Sequence, residues 1–208
     1  MKRIDPFKNV SQALKSLDNG GRFYNILTKA DDGVINKAEL GKVGGIFNDK
    51  QQMILFLEMA MLKLSKSDKD LIISKLEEEL QKAYRNYKPQ ALLPSEAKSK
   101  GVIASNAVIT GIPKLVDSKS DFNGFIMIPL MAGNVTAFSM VPIIDEYDVY
   151  ELRDELTDDT FMIAHLKNEE TLPDKKVIIG GILKEIKESE IETEASGKFL
   201  EAIFHLDY

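Results

Sequence analysis

The chain has 208 residues, 44% of them hydrophobic and 29% charged, with a formal net charge of −6. That balance belongs to a globular chain rather than a disordered one. The absence of cysteine excludes disulfides, thiolate metal sites and thiol nucleophiles together.

Charge and hydrophobic period both change along the chain. Residues 1–100 carry 18 basic against 13 acidic side chains, a net of +5; residues 101–208 carry 9 against 20, a net of −11. Apolar residues recur at helical spacing up to about Tyr87 and in short alternating runs from Gly101 onward, which predicts an α+β chain. A helical domain over 1–95, expected to be a small bundle, is followed by an antiparallel β domain over 96–208. The basic start Met1-Lys2-Arg3 leads into no apolar run, so no secretory signal is expected and a cytoplasmic location is.

In the helical half, a first helix near residues 9–18 is stopped by Asn19-Gly20-Gly21. Three N-terminus signals follow, Asn36…Glu39, Asn48…Gln51 and Ser67…Asp70, each an N-cap residue with an acid or amide three positions on. Gly44-Gly45 ends the helix begun at Asn36. Only Glu58 and Lys63 interrupt the apolar run Met53–Leu64, which predicts a helix buried all round. A long helix from about Asp68 to Tyr87 is expected next, with Ile72, Leu76, Leu80, Ala83, Tyr84 and Tyr87 on its apolar stripe. Pro89 and Pro94 predict a linker reaching Lys100.

The segment Thr28 to Glu39 resembles the second half of an EF-hand calcium loop, with Asp32, Gly33, Ile35, Asn36 and Glu39 at loop positions five, six, eight, nine and twelve. Positions one and three hold Thr28 and Ala30, so two side-chain oxygens that the ion needs are missing. A degenerate loop that binds no calcium is expected, with Gly33 making a turn and Asn36 and Glu39 forming a capping box. The six residues Ala30 to Ile35 are also similar to a turn in tellurite-resistance-type helical domains.

In the second half, strands are predicted over 102–112, 125–132, 135–143, 149–153, 160–166, 176–184 and 198–206, with turn residues between them. Short strands with no helical pattern between them argue for an antiparallel barrel or sandwich. The pattern from Tyr147 onward resembles OB-type barrels, with Gly180-Gly181 permitting a sharp strand bend.

Residues 122–144 carry no charge. Phe125–Ile144 is long enough for a membrane span, but Pro129, Gly133, Asn134 and Pro142 favour a hairpin, and no membrane association is expected. A two-residue turn at Gly133-Asn134 pairs Ala132 with Val135, Leu130 with Ala137 and Ile128 with Ser139. Both faces of that hairpin are apolar. The face with Met127, Met131, Phe138 and Met140 needs a cover, either the helical half or another molecule, and these four are the candidate partner-binding residues.

No nucleophile elbow, P-loop or dinucleotide fingerprint is present. His165 and His205 sit in strand patterns without metal-ligand spacing. No catalytic, cofactor-binding or metal-binding residue is therefore assigned, and no cofactor is expected. Asp145 to Asp159 holds eight acids and one base, Arg153, which reads as a solvated face and works against nucleic-acid binding.

Three functions remain open. The first is a non-catalytic interaction or regulatory protein, with a protein partner or self-association. The second is an OB-type nucleic-acid binder, which would need an aromatic basic groove around Tyr147 and Tyr150. The third is a metal-dependent enzyme using the acids between Asp145 and Asp159.

Overall fold

A computed structural model describes residues 1–20, 29–116, 124–132, 135–143, 147–167, 171–188 and 196–208. Among these the fold is mixed α+β, and the chain divides into two compact units, Ile4–Pro89 and Met1–Arg3 with Gln90–Tyr208.

The first unit is helical. Its first helix, α1 (Val10–Leu17), is capped by Asn9, whose side chain accepts from the Gln12 N–H. The next, α2 (Lys37–Gly44), starts with the expected capping box: Asn36 accepts from the Glu39 N–H and Glu39 accepts from the Asn36 N–H. Gly45, with φ 72°, ends it. The following two caps fall elsewhere than the sequence suggests. Asp49, not Asn48, caps α3 (Lys50–Ala60), and Ser65, not Ser67, caps α4 (Lys66–Ser74). A charged acceptor at the positive helix end favours Asp49 over its neutral neighbour. As the apolar run predicts, α3 is buried nearly all round, from Met53 through Leu57 and again at Met59 and Ala60.

The long helix expected over 68–87 is broken. After α4 the chain extends for a few residues and resumes as α5 (Glu78–Tyr87). The break has a tertiary cause. Ile35 donates to the Lys75 carbonyl at 2.7 Å and accepts from the Glu77 N–H at 2.9 Å, forming a short parallel bridge between Ile35 and Leu76. The Glu77 carboxylate also accepts from the Lys37 N–H at 2.8 Å. These bonds compete with helical continuation through the same backbone groups. Ile72, Leu76 and Leu80 stay buried despite the break, because the apolar stripe does not depend on an unbroken helix.

Among the described residues the second unit holds nine strands in one sheet. Strand β1 (Lys2–Arg3) lies parallel to the last strand, β9 (Ser196–Asp207), pairing Lys2 with Phe204. The expected linker is instead structured: β2 (Gln90–Leu92) lies parallel to β3 (Asn106–Leu115), and α6 (Pro94–Lys100) follows it with proline in its first turn. Pro94 serves as a helix starter rather than a linker residue, since its fixed φ suits the first turn. Residues Val102 and Ile103, expected in a strand, lie in an exposed turn where Ala104 has φ 63°.

The remaining strands are β4 (Gly124–Ala132), β5 (Val135–Pro142), β6 (Tyr147–Arg153), β7 (Thr160–Leu166) and β8 (Val177–Glu188). Strand β3 pairs antiparallel with both β6 and β8; β6 pairs antiparallel with β7; β7 lies parallel to β9; and β9 pairs antiparallel with β8. Ile109, Leu152, Phe161, Ile163, Ile179 and Leu200 pack together in the apolar core that these five strands share. Each side chain of that size contributes about 1.5–3 kcal/mol when fully buried. The β8–β9 register shifts between Gly180 and Gly181, at the position the sequence marks for a bend. A Cβ on Gly181 would stand 2.2 Å from the Glu201 carbonyl oxygen, closer than any side chain tolerates.

At Gly33 the demand is conformational. Its φ is 84° and the nearest atom to an added Cβ is the Lys75 Nζ at 3.6 Å, so space is available but the left-handed backbone disfavours any branched residue. Gly33→Val should lower unfolding free energy by about 1–2 kcal/mol, measured by urea denaturation followed by far-ultraviolet circular dichroism.

Candidate functional site

The four candidate partner-binding residues lie on the β4–β5 hairpin. Its register pairs Ala132 with Val135, Leu130 with Ala137 and Ile128 with Ser139, as the sequence expects; the turn residues Gly133 and Asn134 lie outside the described residues. Met127 stands opposite Met140, Met131 opposite Thr136, and Phe138 opposite Pro129. Strand alternation therefore sets Met127, Met131, Phe138 and Met140 on one face. Whether that face is covered lies outside the described residues. Among the described residues the hairpin pairs with the rest of the sheet at its base, where Gly124 pairs with Glu188 and Phe125 with Lys187 of β8. Beyond Phe125, among the described residues, β4 and β5 pair with each other alone. They form a two-stranded ribbon extending from the sheet.

Among the described residues the acidic stretch does not converge. Asp145 and Glu146 lie outside the described residues. Asp154 is buried, and its carboxylate accepts from the Ser95 hydroxyl at 2.8 Å and from the Leu156 N–H at 2.9 Å. These bonds hold its pKa below the usual carboxylate value. Glu155 pairs with Lys176 at 2.5 Å and Asp158 with Arg153 at 3.7 Å, while Glu151 and Asp159 face solvent. Among the described residues no three His, Asp or Glu side chains gather as a metal site would require. The link from Ser95 to Asp154 fixes the β6–β7 turn to the start of α6, a role that no spacing in the sequence signals.

The segment resembling an EF-hand is held by carboxylates that accept from backbone N–H groups. Thr28 lies outside the described residues. Glu39, fully buried, accepts from the Gly20 N–H at 2.6 Å, and from the Asn36 N–H and side-chain amide at 3.0 and 2.8 Å. Burial raises its pKa, against the hydrogen bonds from Asn36 and Gly20. Asp18 accepts from the Asp32 and Gly33 N–H groups at 3.1 and 2.8 Å. The sequence gives no signal for Asp18, because its partners are 14 and 15 residues away. Both carboxylates satisfy backbone donors, so releasing either for an ion would break those bonds and, for Glu39, strand the buried Gly20 N–H. Titrating calcium to millimolar concentration should give neither heat nor a thermal shift in calorimetry; a micromolar dissociation constant would contradict this geometry.

Both tyrosines that could have stacked on bases are buried. The Tyr147 hydroxyl donates to Glu201 at 2.9 Å and its ring meets Phe199 edge-on, with centroids 6.3 Å apart. Tyr150 stacks on His165 at 5.6 Å between centroids, and its hydroxyl oxygen accepts from the Leu172 N–H at 3.3 Å. Of the basic residues near the start of this unit, Lys100 pairs with Glu96 at 2.5 Å.

His165 and His205 are both buried, on β7 and β9. Burial lowers the His165 pKa, opposed by the bond between its Nδ1 and the Leu166 carbonyl. A histidine with a depressed folded pKa favours folding above its unfolded pKa, and that contribution is lost as pH falls below it. Between about pH 7 and 5.5 the melting temperature of His165→Phe should therefore rise relative to wild type. A constant difference across that range would assign His165 no part in the pH dependence.

Neither the models of known protein families nor the curated proteins compared with the chain give a match, and none of its described helices is long and apolar enough to cross a membrane.

Proposed function

We propose that the chain is a non-catalytic interaction protein whose binding element is the β4–β5 ribbon. The single observation that carries this reading is the ribbon's pairing. Beyond Phe125 its two strands bond only to each other among the described residues, within a 23-residue stretch without charge. An isolated two-stranded ribbon is marginal in water, and an apolar sequence on both its faces calls for a cover.

The five strands that carry the ribbon form, in this reading, a closed OB-type barrel. Supporting this, the pairings run β3–β6–β7–β9–β8 and return to β3, with β7 and β9 parallel. The ribbon is then an insertion between the first two barrel strands. Such an order does not itself assign nucleic-acid binding, because function belongs to sites rather than folds. The burial of Tyr147 and Tyr150 leaves neither of these two rings free for stacking on bases.

Phe138→Asp tests the reading. The variant should keep its far-ultraviolet spectrum and its cooperative melt while losing association, measured by light scattering and by capture on immobilised wild-type chain. A collapsed melting temperature in a monomeric protein would place Phe138 in the chain's own core instead, because a buried unpaired charge is costly.

A further inference from the structure

The outer edge of β5 is the most specific feature the ribbon offers, and its direction follows from two prolines. Proline cannot donate to a ladder, so within a sheet its nitrogen faces away from the bonded neighbour. Pro129 on β4 is paired with Phe138, and Pro142 on β5 with Phe125. Both pairs fall on the same alternation of the ladder. Their backbone groups therefore point outward, and the pairs between them, such as Ile128 with Ser139, carry the β4–β5 bonds.

The same alternation turns the backbone N–H and C=O groups of Thr136, Phe138 and Met140 outward along β5. That edge has none of the features that keep sheet edges apart. Between Val135 and Val141 there is no charge and no proline, and the register runs without a bulge. The outer row of β4 is different, because Pro129 removes a donor at its middle.

We infer that β5 pairs antiparallel with β5 of a second copy of this chain, making a four-stranded sheet from two ribbons. This rests on the ribbon being the binding element. Charge selects the occupant. The strand-rich half carries a net of −11, so two copies repel over most of that surface. The longest charge-free run in the sequence, residues 122–144, is where they meet without opposed like charges. A charged peptide would find no counter-charge there, whereas an uncharged, β-forming strand fits the edge, and the chain itself supplies one. Antiparallel pairing about a twofold axis uses the same edge on both copies, which closes the assembly at two.

The test is the mass of the full chain in solution by light scattering over a micromolar concentration series, with two substitutions at one outward position. Wild type should show twice the chain mass. Thr136→Pro removes one outward N–H and leaves the β4–β5 bonds intact; it should weaken dimerisation at least tenfold with an unchanged far-ultraviolet spectrum. Thr136→Val keeps the donor and should dimerise as wild type does. Hydrogen exchange should show the amides of Thr136, Phe138 and Met140 protected in the wild-type dimer and released in Thr136→Pro. A monomeric wild type would overturn the second copy and leave the ribbon reading to the melting temperature of Phe138→Asp, whose collapse would place Phe138 in the chain's own core. A dimer that Thr136→Pro does not weaken, or that Thr136→Val weakens equally, would overturn pairing through the β5 backbone.

Discussion

The strand-rich unit depends on β8 bonding to three strands at once. Its first half pairs with β3, nearly its whole length with β9, and its last two residues with the base of the β4–β5 ribbon. The β8–β9 register shifts at Gly180-Gly181, where β9 carries the extra residue Ile203, and the approach of the Glu201 carbonyl oxygen to Gly181 explains why a residue without Cβ sits there. Without β8 the five shared strands would lose the pairing that brings β9 back to β3, and the ribbon would lose its attachment.

A second regularity concerns acids. Asp18, Glu39 and Asp154 are the buried acids among the described residues, and each accepts from backbone N–H groups of a turn. A carboxylate so placed replaces the solvation it lost with fixed dipoles. It then acts as a structural acceptor rather than a chemical group. The two acidic features most suggestive of chemistry in the sequence, the loop ending at Glu39 and the run ending at Asp159, each contain one of these anchors. Around Asp154, Glu155 and Asp158 lie in separate surface ion pairs, which contribute little individually.

The ribbon stands apart from both regularities. It holds no acid and no base, and among the described residues it takes no part, beyond its base, in the pairing that orders the other strands. Its two prolines lie at positions where a missing donor does not disturb the ladder between its strands. The sequence of β5 between its ends has no comparable block. That asymmetry between two adjacent strands is a matter of backbone donors, and it directs any pairing to one edge.

Local signals in the sequence were sufficient where a residue acts on its own backbone. Asn36 and Glu39 capped α2, Gly33 and Gly45 took left-handed conformations, and the hairpin register followed from the spacing about Gly133-Asn134. Each involves a few neighbouring residues, whose dihedral or capping preference does not depend on the rest of the chain. Tertiary structure decided which distant backbones meet. It broke the helix expected over 68–87 by pairing Ile35 with Leu76, ordered 90–100 against β3, joined Met1–Arg3 to β9, and tied Ser95 to Asp154. Periodicity records which face of a segment is apolar, but not which other segment its N–H and C=O groups bond. That choice belongs to the folded chain as a whole.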